Sequence, residues 1–178
     1  MATDKNKIVE GYALLFNTQY VVSNFMERIH PTALKNADYS DVRLLREHDA
    51  RHLLARTTTG TLRLQIDGTG LFFRATLPST TLGEETAALI TRGDLSQMSW
   101  GFTVNPDKDV WTVTPGGVPL RTIMQVEQIW DVSPVTYPAN PATRVWVSRS
   151  EARDGETPEI EDYNEILSYI QQKKQTAL

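Results

Sequence analysis

Cysteine is absent from this chain. That absence removes disulfide bridges, thiolate metal sites and a cysteine nucleophile together, and it fits a reducing compartment. Long apolar runs are missing as well: nothing approaches the roughly 18 residues that a membrane span needs, and Met1 to Lys7 lead into no signal-peptide apolar region. Basic runs are missing too. The 18 Lys and Arg are scattered among 22 Asp and Glu, for a net charge of −4, whereas phosphate binding needs a concentrated Lys/Arg surface. Neither nucleic acid nor a membrane is expected as a partner, and the protein should act in the cytosol or in something assembled there. Histidine is scarce, with three in the chain. No two of them share a ligand-like spacing with an acid, and there is no glycine-rich phosphate loop, so neither metal nor cofactor is expected.

With 178 residues and 40% hydrophobic content, the chain is long enough for one cored domain and a tail. Residues 1–150 form the expected domain. Within it, short runs of β-branched and aromatic residues alternate with Gly, Pro, Asn and Asp, a mostly β pattern. Strands are predicted at Ile8 to Phe16, Val42 to Glu47, Thr61 to Ile66, Leu71 to Leu77, Met98 to Val104, Val110 to Thr114, Arg121 to Gln128 and Val145 to Ser148. Asp67-Gly68-Thr69-Gly70 joins two of these as a hairpin whose glycines suit positive φ. Thr81-Leu82-Gly83-Glu84 reads as a capping box opening a helix that Gly93 closes. Beyond a polar linker, Thr157 and Pro158 open a second, amphipathic helix in residues 151–178, with Ile160, Tyr163, Ile166, Leu167 and Ile170 on one face. Such an apolar stripe must pack on something, and self-association through it is one outcome.

Few residues could do chemistry. His30 precedes Pro31 at a turn, and His52 lies in the polar Asp49-Ala50-Arg51-His52 loop, so surface roles suit both. His48 follows an apolar run at a strand-to-loop junction, where scaffolds commonly place reactive groups; alternatively, it satisfies a local hydrogen bond. In Gln97-Met98-Ser99-Trp100-Gly101-Phe102, alternation sends Ser99 to the face opposite Met98 and Trp100, and Gly101 shares its face without adding bulk. A substrate backbone could approach there. The plainer reading is that both are small because another element packs closely. A third cluster, Glu127-Gln128-Ile129-Trp130-Asp131-Val132-Ser133-Pro134-Val135-Thr136-Tyr137-Pro138, sets acids in an otherwise apolar strand. Such an acid can orient a histidine, or simply bond a turn.

Taken in order, Gly11-Tyr12-Ala13, Glu27-Arg28-Ile29-His30-Pro31, Leu44-Leu45-Arg46-Glu47-His48-Asp49, Gln97-Met98-Ser99-Trp100-Gly101-Phe102 and Asp131-Val132-Ser133-Pro134-Val135-Thr136-Tyr137-Pro138-Ala139 resemble the prohead proteases of tailed bacteriophages. These are serine peptidases related in fold to the herpesvirus assemblins. The resemblance implies a β-rich α+β fold, with a closed or nearly closed β-barrel flanked by helices. It implies that Ser99 is the nucleophile, His48 the general base and Asp131 the third member, standing where the family commonly has Glu, with Glu127 as fallback. It also implies a serine endopeptidase that cleaves the major capsid protein and scaffold segments, and often itself, inside the procapsid assembling in the host cytoplasm. A catalytically silent internal scaffold protein of the procapsid is the alternative.

Overall fold

The structure is a computed structural model that describes residues 7–148. The expected helix at 158–174 lies outside the described residues. Twelve strands are present: β1 Ile8–Leu15, β2 Tyr20–Val22, β3 Phe25–Ile29, β4 Arg43–Leu45, β5 Leu53–Arg56, β6 Leu62–Ile66, β7 Gly70–Thr76, β8 Gln97–Val104, β9 Val110–Val113, β10 Pro119–Ile123, β11 Val126–Val135 and β12 Arg144–Val147. One α-helix, α1, spans Thr81–Arg92 between β7 and β8.

The strands form three four-stranded sheets, in the orders β12-β1-β7-β6, β2-β3-β10-β9 and β5-β4-β11-β8. Neighbours pair antiparallel except β10 with β3 and β11 with β4, which are parallel. No sheet closes on itself, so the β-rich expectation holds while the three sheets of the described residues do not confirm a closed or nearly closed barrel. The three sheets share one hydrophobic core. Val9 and Leu14 of β1, Ile29 of β3, Leu44 of β4, Phe73 of β7, Met98 of β8, Ile129 of β11 and Ile90 of α1 belong to one buried cluster, and this common burial holds the layers together. Among the described residues no helix is long and apolar enough to cross a membrane.

Several local expectations need correction. The run Arg121 to Gln128 is two strands, β10 and β11, separated by Met124 and Gln125. β11 then continues through Pro134, whose carbonyl accepts from Glu47 N–H at 3.1 Å. A proline fits there because β4 has already ended and no ladder donor is required on that side. Three strands lacked a clear signal. In β3 the charged Glu27 breaks the apolar run although it is buried, accepting from Tyr20 Oη at 2.7 Å and from Arg121 at 3.1 Å. β2 and β5 have only three and four residues.

The β6–β7 hairpin forms, but neither Gly68 nor Gly70 has positive φ. Asp67 Oδ1 makes the turn instead, accepting from the N–H groups of Thr69 at 2.7 Å and Gly70 at 3.0 Å. Helix α1 starts one residue earlier than expected: Thr80 is the N-cap, accepting from Gly83 N–H. Gly93 ends it at φ 85°, a conformation open to glycine at little cost.

Candidate active site

β11 is central in its sheet, with β4 on one side and β8 on the other. In the β8–β11 ladder Gly101 pairs with Asp131, Trp100 with Val132 and Ser99 with Ser133. Cross-strand partners point to the same face, and so do residues two apart on one strand. Ser99, Gly101, Asp131 and Ser133 therefore share one face of the sheet. Met98 projects into the core on the other face, and Trp100 stacks on Phe102 with centroids 3.8 Å apart. The start of β8 is fixed from its outer edge: Met98 N–H donates to Thr143 Oγ1 at 2.9 Å, and that hydroxyl donates back to Met98 O at 2.7 Å.

Gly101 makes room for something other than substrate. A Cβ there would collide with Asp131 Oδ2, so the space over Gly101 belongs to the Asp131 carboxylate. Of the two sequence readings of Gly101, close packing of another element is the one that holds; that the element is Asp131 follows from the ladder register, which no single-strand pattern contains.

His48 comes from the turn between β4 and β5, three residues past the end of β4. Hydrogen bonds from Arg46 N to His52 O at 3.1 Å and from His52 N to Asp49 O at 2.8 Å close this turn. Glu47 and His48 both adopt left-handed backbone, at φ 59° and 55°, a conformation that costs a non-glycine residue about 1–3 kcal/mol. Contacts to the end of β11 hold it in place. Besides the Glu47 N–H bond to Pro134, Glu47 Oε1 accepts from Thr136 N–H at 2.7 Å and from Thr136 Oγ1 at 2.5 Å.

This turn delivers the imidazole to the Asp131 side chain, with Nδ1 2.6 Å from Asp131 Oδ1. The same oxygen accepts from Ser133 Oγ at 2.5 Å. Since a carboxylate only accepts, Nδ1 carries the proton and Nε2 keeps a free lone pair. The Asp131 hydrogen bond raises the His48 pKa above the usual histidine value; burial opposes this, and the charges of Asp131 and Glu47 add to it. Among the described residues Ser99 Oγ is not hydrogen-bonded to the ring, although it shares the face on which Asp131 holds it.

The remaining candidates lie elsewhere. Glu127 is an exposed residue of β11 and makes no hydrogen bond to His48. His30 Nδ1 pairs with Thr32 Oγ1 at 2.8 Å on an exposed turn. His52 Nδ1 is buried without a hydrogen bond, 3.7 Å from Asp49 Oδ2. No group of acids and histidines among the described residues could hold a metal ion. Two features around the imidazole were not singled out from sequence, the Ser133 hydroxyl and the Glu47–Thr136 contact. Ser133 lies inside a motif that was legible, but its partner depends on β11 placing residues two apart on one face.

No curated protein matches the chain. Among solved structures, the protease of Kaposi's sarcoma-associated herpesvirus (KSHV), determined in complex with a hexapeptide phosphonate inhibitor, shares its fold, with a TM-score of 0.54 and 12% identity over 94% of this chain and 77% of that one. The family model described as caudovirus prohead serine protease matches residues 1–157. The chain therefore belongs to the prohead serine protease family of tailed phages, whose relation in fold to the herpesvirus assemblins it shares.

Proposed function

We propose that this protein is a serine endopeptidase of procapsid maturation in which Ser99 is the nucleophile, His48 the general base and Asp131 the residue that orients it. The observation that carries the reading is the 2.6 Å contact between His48 Nδ1 and Asp131 Oδ1, made on the sheet face that Ser99 shares. In this scheme Ser99 Oγ turns to His48 Nε2 when substrate is bound; such catalytic hydrogen bonds commonly tighten only in the complex. Nε2 takes the hydroxyl proton as Oγ attacks the scissile carbonyl, and Asp131 stabilises the imidazolium that forms. The amine then leaves with the proton from His48. Water, deprotonated by the same nitrogen, releases the acyl group and restores Ser99.

Family membership supports head proteins as substrates: the major capsid protein, its scaffold segments and the protease itself, within the procapsid in the host cytoplasm. Residues 1–150 carry the protease in this reading. In the same reading, residues 151–178 are a linker and tail whose apolar stripe docks on the protease domain, on a second copy or on a capsid partner.

The test is co-expression of wild type or Ser99→Ala with the cognate capsid protein, read by mass, alongside labelling of each purified protein with a fluorophosphonate probe. Wild type should be labelled and shorten the capsid protein, and Ser99→Ala should do neither. An unlabelled wild type that leaves the capsid protein intact would favour the silent scaffold instead.

A further inference from the structure

We infer that Ser133 is a positioning residue for this reaction, its buried hydroxyl fixing the Asp131 carboxylate at the angle from which it holds the His48 ring. The inference rests on the catalytic roles proposed above and adds a member to them. Ser133 Oγ donates to Asp131 Oδ1 at 2.5 Å, and that oxygen also receives His48 Nδ1 at 2.6 Å. Ser133 is fully buried, so no water competes for its proton. It stands directly across the ladder from Ser99.

The carboxylate needs a second point of attachment. His48 alone is a weak anchor, because its side chain is 38% exposed and its turn has strained backbone. A rival cation lies on the other side: Arg43 of β4 is the ladder partner of Asp131, and partners project to one face. Arg43 is turned to Asp41 instead, with Nη2 3.0 Å from Oδ2. Without the Ser133 hydroxyl, the Asp131 carboxylate is free to turn toward Arg43 or solvent. The imidazole then loses the acceptor that selects its productive tautomer.

Two measurements on full-length Ser133→Ala test this. The first is the rate of labelling by a fluorophosphonate probe, which reports activation of Ser99. It should fall roughly 10- to 100-fold, the range that slight misplacement of a catalytic group produces. The second is the titration midpoint of His48 followed by NMR, which should drop toward the ordinary histidine value as the Asp131 bond is lost. A mere packing role for Ser133 predicts neither change. Labelling at the wild-type rate with an unmoved or higher His48 midpoint would overturn the inference. Failure of wild type to label would count against the proposed function alone, since the His48 titration still reports whether Ser133 holds Asp131.

Discussion

Asp131 and Gly101 are ladder partners on β11 and β8, and the carboxylate of the first occupies the space where a side chain of the second would lie. The glycine is thus a precondition for the Asp131–His48 contact. Gly101→Ala should push the carboxylate away from His48 and lower fluorophosphonate labelling by roughly 100-fold, as expected for displacement of about 1 Å. Overpacking should also cost about 1–3 kcal/mol of stability in a thermal or denaturant melt. Labelling of Gly101→Ala at the wild-type rate would mean that the Asp131 position does not matter to Ser99.

The choice between the two acids is tested by isosteric substitution. Asp131→Asn leaves the packing intact but offers Nδ1 an amide that can present a donor, which favours the wrong tautomer. Its labelling rate should drop by roughly 10³- to 10⁴-fold, the scale of the equivalent change in serine proteases. Glu127→Gln, on the exposed side of β11, should be within about 2-fold of wild type, as surface substitutions usually are. The reverse ranking would transfer the orienting role to Glu127.

Because Asp131 raises the His48 pKa, the labelling rate should climb with pH through a midpoint above about 6.5, the ordinary histidine value. In Asp131→Asn the residual activity should have its midpoint lower, since the largest cause of the shift is gone. Stability moves the opposite way. A histidine whose pKa is higher in the folded than in the unfolded state contributes fully below the unfolded value. That contribution is lost as pH rises through the folded one. The His48 contribution should therefore fade as pH rises through the raised folded-state midpoint in wild type and be smaller in Asp131→Asn. NMR titration of the ring checks both; a midpoint at or below the ordinary value in wild type would contradict the geometry.

The sequence displayed the parts of this protein that depend on local periodicity. β1, β7, β8 and α1 lie within a residue or two of where apolar alternation and end signals place them. Motif positions likewise bring out Ser99, His48 and Asp131. What escaped were features fixed by partners far away in the chain. Glu27 looks like a surface charge until Tyr20 and Arg121 are set beside it. Gly101 reads as space for substrate or for a packed element until register puts Asp131 over it. The sheets stay open because pairing stops at β6, β12, β2, β9, β5 and β8, and strand composition says little about which edges meet.

Another far-reaching feature is the grip of Glu47 on Thr136, two hydrogen bonds across 89 positions of sequence. It holds the residue next to His48 in left-handed backbone, and the imidazole inherits its direction from that turn. Glu47→Ala removes the acceptor for both Thr136 donors and lets residues 47 and 48 relax toward ordinary backbone. Labelling should fall by roughly 10- to 100-fold from misplacement of the ring. Stability should change by no more than about 1–2 kcal/mol, because lost hydrogen bonds at an exposed site are replaced by water. Glu47→Gln keeps an acceptor oxygen for Thr136 and should retain most activity, with the His48 midpoint slightly lower for want of the neighbouring charge. Thr136→Val keeps the backbone donor and loses the hydroxyl, so its defect should lie between the two. If Glu47→Ala labels as fast as wild type while its melt is unchanged, the turn holds His48 without this contact and the Pro134 carbonyl bond to Glu47 N–H suffices.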